Sequence, residues 1–147
     1  MKAHEWLERG KNTANLVDAF PNFWRAFNNL FFTIGKGSEA SKIKLFINSN
    51  FSNQLASEIL QQHNDSVAYL ISEKVIDMRG NGQDTGHNIK AFNSATGGKT
   101  KLAQIFMIIY QIRCNLEHGQ KSPSRERDIE LCNSAAPLIA EIVERSI

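Results

Sequence analysis

Between Ile108 and Gly119 the chain passes from an apolar run into groups that can do chemistry: the Arg113 guanidinium, the Cys114 thiol, the Asn115 amide, the Glu117 carboxylate and the His118 imidazole. On a helix at about 100° per residue, Arg113 and Glu117 stand one turn apart and can pair, as can Cys114 and His118. Arg113 and His118 are about 140° apart, too far round one straight helix to meet at a small group. They converge if the helix ends at His118, which Gly119 favours, or if a second copy of the helix completes the site across a two-fold axis. Arginine and histidine without a metal-ligand set suit phosphodiester chemistry on RNA. The imidazole takes or gives a proton near neutral pH. The guanidinium bridges phosphate oxygens and stabilises charge that develops on them. RNA brings its own nucleophile, the 2′-hydroxyl, so no metal or other cofactor is expected.

The elements that must position this cluster read as helices. Residues 3–18 form a first helix weakened by Gly10 and Asn12. Pro21 opens a second over 22–34, with Phe23, Trp24, Phe27, Leu30, Phe31 and Ile34 on one broad face and Gly35-Lys36-Gly37 as its stop. The aromatic group Phe23, Trp24, Phe27, Phe31 and Phe32 reads as core. Ser38 caps a third helix, and a fourth runs from Asn53 to about Ser72. The glycine-rich segment 79–98 reads as a long irregular connection with one short turn around residues 89–92. A fifth helix, 99–117, is apolar nearly all round, as a central helix would be. After a turn at Lys121–Ser124, a last helix covers 125–147, with a kink or break expected at 133–136 ahead of Pro137. No strand pattern persists. The expected fold is all-α, a bundle of five or six helices in a single domain, 1–147.

Composition narrows the function classes. The 147 residues carry a net charge of +2, too little to argue for nucleic acid by itself. Cys114 and Cys132 make no disulfide framework, no signal-peptide pattern opens the chain, and no apolar run approaches the roughly 20 residues of a membrane span. A soluble, cytoplasmic protein is expected, with no membrane partner. His4, His63 and His87 lack ligand spacing for zinc. Gly97-Gly98-Lys99-Thr100 matches only the end of a phosphate-binding loop; the leading glycine position holds Asn93 and no strand precedes it.

The string Tyr110-Gln111-Ile112-Arg113-Cys114-Asn115-Leu116-Glu117-His118-Gly119-Gln120-Lys121 resembles the signature of HEPN domains, the higher-eukaryote and prokaryote nucleotide-binding family. Arg113 and His118 match its two defining positions, and Asn115, Leu116, Gly119 and Lys121 match the longer prokaryotic form. The resemblance covers about twelve residues. It implies an all-α bundle that dimerises through the motif helix and, in many members, a metal-independent endoribonuclease of toxin–antitoxin or phage-defence systems. Carried onto this chain, Arg113 would stabilise the scissile phosphate and His118 act as general acid or base. Asn115 would orient a motif side chain or the phosphate, while Tyr110, Cys114 and Glu117 support the site. Lys121 and Arg125 would hold the RNA backbone. The implied partners are a second copy of the chain, RNA, and an antitoxin or other protein. Two positions depart from the pattern: Cys114 stands where many active members carry Asn, Asp or His, and Glu117 where an aromatic or apolar residue is common. They carry the alternative, a non-catalytic module of the same fold that binds RNA or a protein.

Overall fold

The computed structural model describes residues 2–117 and 126–147; His118, Gly119, Lys121, Arg125 and the turn at Lys121–Ser124 lie outside the described residues. The described chain is all-α. Its eight helices are α1 Lys2–Lys11, α2 Leu16–Phe31, α3 Glu39–Asn50, α4 Asn53–Gln62, α5 Asn64–Ser72, α6 Gly86–Ser94, α7 Gly98–Glu117 and α8 Glu126–Ser146. Eight replaces the expected five or six because the stretch 53–72 is divided in two and the connection 79–98 carries a helix of its own, while the boundary between the first two helices lies earlier than expected.

The shifted boundary lies between residues 11 and 16. Asn15 caps α2, its side chain accepting from the Asp18 N–H at 2.9 Å. The helix therefore starts five residues ahead of Pro21, which sits inside it. The missing proline N–H would have met the Val17 carbonyl, a loss near the start of a helix whose face buries Phe20, Phe23, Trp24, Phe27 and Phe31. The division of 53–72 is at His63, whose backbone (φ −110°, ψ 35°) separates α4 from α5. Its ring meets Glu141 on α8 at 3.1 Å. Gly35 and Gly37 end the α2 connection with φ of 63° and 107°, and Ser38 caps α3 by accepting from the Ser41 N–H.

Helix α7 is the centre of the bundle. It buries Leu102, Ala103, Ile105, Phe106, Met107, Ile108, Ile109 and Ile112 and packs against α3, α4 and α6. The layer around it is closed by α2 on α8, α1 on α2 and α5 on α8. Phe27 ties the layers together, its ring centroid 5.7 Å from that of Phe46 and 5.2 Å from that of Phe106. Phe32 departs from the expected aromatic core and is exposed. Helix α8 continues across residues 133–136 without the expected break. Ala135, Ala136, Leu138 and Ile139 around Pro137 are all buried, so packing holds the helix through the lost hydrogen bond.

The Gly97-Gly98 pair has a packing explanation. A Cβ on Gly98 would collide with the Asn53 carbonyl and the Ser57 hydroxyl, and the Lys99 N–H donates to the Asn53 side chain at 3.1 Å. Glycine lets the start of α7 pass directly over the start of α4. No described helix is long and apolar enough to cross a membrane.

Candidate functional site

Arg113 lies in the last turns of α7, half-buried. Its Nη1 is 2.9 Å from Glu117 one turn on and 3.3 Å from Glu39 at the start of α3. Its guanidinium carbon is 5.8 Å from the centre of the Trp24 ring. The pairing with Glu117 follows from helical spacing; Glu39 comes from 74 residues away. These two carboxylate contacts use Nη1, and the guanidinium also hydrogen-bonds to the Cys114 sulfur. Arg113 also lines a cavity of about 260 Å³ with Phe20, Pro21, Trp24, Arg25, Leu116 and Glu117. Two aromatic walls, two guanidinium groups and one carboxylate shape that cavity.

Tyr110 and Cys114 stand one turn apart beneath this group. The Tyr110 ring stacks on Trp24 with centroids 6.2 Å apart. Burial pushes its phenol up to about 12, with the neighbouring Cys114 and Glu39 adding to the shift and Arg113 opposing it. Burial also raises the Cys114 thiol, against the hydrogen bond from Tyr110 and the charge of Arg113. A thiol above its ordinary pKa is a poor nucleophile, which fits Cys114 as a packing residue. Trp24 is 4% exposed, and its indole N–H is buried with no hydrogen-bond acceptor among the described residues. Phe27 and Phe31 stand edge-on to its ring instead.

Asn115 faces another way. It is 1% exposed and spends its amide on the connection after α5: its Oδ1 accepts from the Met78 N–H at 3.2 Å and from Gln111 at 3.0 Å, and its Nδ2 donates to the Ile76 carbonyl at 2.9 Å. None of these bonds runs to Arg113. They tie α7 to a closed loop, residues 75–85. The Asp77 N–H donates to the Gln83 carbonyl, the Thr85 N–H to the Val75 carbonyl, and Ile76 and Asp84 form a single antiparallel bridge. Gly80 and Gly82 turn the loop at φ of 78° and 75°. Inside it, Asp77 takes Arg79 in a two-pronged pair at 2.7 and 3.0 Å, and accepts from the Arg79 N–H and from Asn81. The Arg79 guanidinium and these donors hold the Asp77 carboxyl well below the usual carboxylate range, against the cost of its burial. The expected irregular stretch 79–98 is thus a braced loop followed by the nine-residue helix α6, which starts where Asp84 accepts from the Gly86 N–H.

Of the residues singled out from sequence, the structure brings Tyr110, Arg113, Cys114 and Glu117 together and turns Asn115 away. His118, Lys121 and Arg125 lie outside the described residues. Glu39, Trp24 and Arg25 join the site without having been foreseen. Trp24 and Arg25 belong to a helix face legible only as core, and no local pattern marks Glu39 as the partner of an arginine in another helix. Comparison with protein-family models, curated proteins and solved structures finds no match to this chain.

Proposed function

We propose that this chain is a metal-independent endoribonuclease of HEPN type, with Arg113 and His118 as its chemical pair. The observation that carries the reading is the state of Arg113. Its Nη1 is anchored on Glu39 and Glu117, its guanidinium lies against the Trp24 ring, and it borders a cavity beside a second arginine. A guanidinium fixed in this way is preorganised to bind a phosphate oxygen and to stabilise charge as the bond to phosphorus breaks. His118 moves the proton, as base toward the 2′-hydroxyl or as acid toward the leaving 5′-oxygen. The products are a 2′,3′-cyclic phosphate and a 5′-hydroxyl. Two copies of the chain meet through the end of α7 so that the Arg113 and His118 groups of both serve one site, and Lys121 and Arg125 hold the RNA backbone. The setting this reading fits is a cytoplasmic toxin–antitoxin or phage-defence protein.

A second reading is favoured by Glu39, which adds a second carboxylate to the one expected at Glu117. Two carboxylates against one guanidinium suit a non-catalytic module that binds RNA or a protein with the same face. Incubation with total RNA in EDTA, beside Arg113→Ala and His118→Ala, separates the two. Cleavage by the parent and by neither variant supports the nuclease. Cleavage that requires a divalent metal, or that survives in both variants, overturns it. RNA binding without cleavage supports the module.

A further inference from the structure

We propose that the face carrying Trp6, Arg9 and Arg25 holds single-stranded RNA beside the cavity at Arg113; the inference rests on the reading of that cavity as RNA-directed. The arginines among the described residues fall into two kinds. Arg79, Arg113, Arg127 and Arg145 are each paired with a carboxylate: Asp77, Glu39 with Glu117, Glu73, and Glu141. Among the described residues, Arg9 and Arg25 make no ion pair. Both lie against the same indole instead, their guanidinium carbons 5.1 and 4.9 Å from the Trp6 ring centre. The distinction has a physical consequence. A salt bridge orders a cation and cancels it, whereas an aromatic ring orders the cation and leaves its charge in place. Trp6 thus presents two ordered, uncancelled positive charges from two different helices.

The position of this pair links it to the site. Arg25 lines the Arg113 cavity as well as covering Trp6, so one guanidinium belongs to both. On the far side, Lys2, Glu5, Trp6 and Arg9 line a shallow hollow in which Glu5 brings the sole carboxylate. The resulting track runs from Arg113 through Arg25 to Trp6, Arg9 and Lys2. Cations ordered on a half-buried aromatic are elements that hold single strands: the guanidinium groups take successive phosphates, and their planes offer stacking surfaces to bases. A duplex, whose bases are stacked already, would use the charges alone.

The test is binding of a fluorescein-labelled 2′-O-methyl oligouridylate of about 12 nucleotides, which lacks the 2′-hydroxyl and cannot be cut. Anisotropy is read in EDTA from about 50 to 200 mM salt. The proteins are the full chain, the double variant Arg9→Gln with Arg25→Gln, and Lys44→Gln, which removes an exposed charge on α3. Loss of two phosphate contacts lowers the slope of log K against log salt by about 1.4 in the double variant, with binding at low salt at least tenfold weaker. A double variant that binds within twofold of Lys44→Gln, with the slope unchanged, overturns the proposal. Both arginine side chains are exposed, and an unchanged melting temperature confirms the fold of the double variant. Cleavage of natural RNA, followed in parallel, keeps the two ideas apart. Arginine-dependent binding without cleavage overturns the nuclease and supports the track. Cleavage lost in Arg113→Ala, with RNA binding indifferent to Arg9 and Arg25, overturns the track alone. No RNA binding by the full chain at about 50 mM salt overturns both.

Discussion

Replacing Asn115 by alanine tests whether the end of α7 is held in place by the loop beneath it. The side chain is 1% exposed and makes three hydrogen bonds, to the Met78 N–H, the Ile76 carbonyl and the Gln111 side chain. Each such bond contributes a net of about 0.5–1.5 kcal/mol, and a buried group left without its partner costs more. Ile76 is 59% exposed, so water can reach part of the broken set, which places the loss at about 2–3 kcal/mol. In a chain of this size the melting temperature should fall by roughly 5–10 °C. The effect should also be local. Hydrogen exchange should accelerate first at the Asp77 and Thr85 amides, whose bonds close the loop, while amides in the middle of α7 slow or quicken only with global stability. Asn115→Asp keeps an acceptor for the Met78 N–H but sets an oxygen against the Ile76 carbonyl, so at neutral pH it should lose at least as much as alanine. A melting temperature within about 2 °C of the parent, with unchanged protection at Asp77 and Thr85, would refute the reasoning.

Glu39→Gln, which releases one carboxylate from Arg113, should strengthen RNA binding by up to about fivefold, since a partly exposed ion pair is worth about 1 kcal/mol or less. Equal or weaker affinity in a filter-binding assay counts against phosphate binding at Arg113. Gly98→Ala should destabilise by about 1–3 kcal/mol in urea unfolding, because its methyl group meets the Asn53 backbone and has nowhere to go. Asp77→Asn should be less stable than the parent at neutral pH. The folded-state pKa of Asp77 is depressed, so its contribution is complete above the unfolded value of about 4 and fades as pH falls toward the folded one. A gap between parent and variant that widens below about pH 4 would contradict this sign. In an ultraviolet titration, Tyr110 should ionise near 12, and Tyr110→Phe should remove that late phase; a single ordinary tyrosine step in the parent would rule it out.

What the sequence determined by itself is the part set by near neighbours. The stripe from Leu102 to Leu116 repeats at helical spacing, and its breadth marked α7 as central. The Ser38 cap depends on residues within one turn and stands where the pattern placed it, whereas α2 ends at Phe31, ahead of the Gly35-Lys36-Gly37 stop expected for it. The Arg113–Glu117 contact is likewise a consequence of a four-residue interval. The boundaries that moved are those where a local preference met a distant partner. Pro21 lies within a helix because Asn15 supplies an earlier cap and five aromatic side chains are buried along its face. Pro137 leaves α8 intact because the residues on either side are packed into the core. Only the tertiary structure decided the surroundings of the candidate site. Glu39 reaches Arg113 across 74 residues, and Asn115 finds Met78 across 37. Arg9 and Arg25 converge on one ring because α1 lies along α2. Each of these is a polar contact between helices, and a helix shows in its sequence which face is apolar, not which group of another helix its polar residues will meet. The type and spacing of Arg113 and its neighbours could therefore be read from the chain, while the charge they sit in was set by how the helices pack.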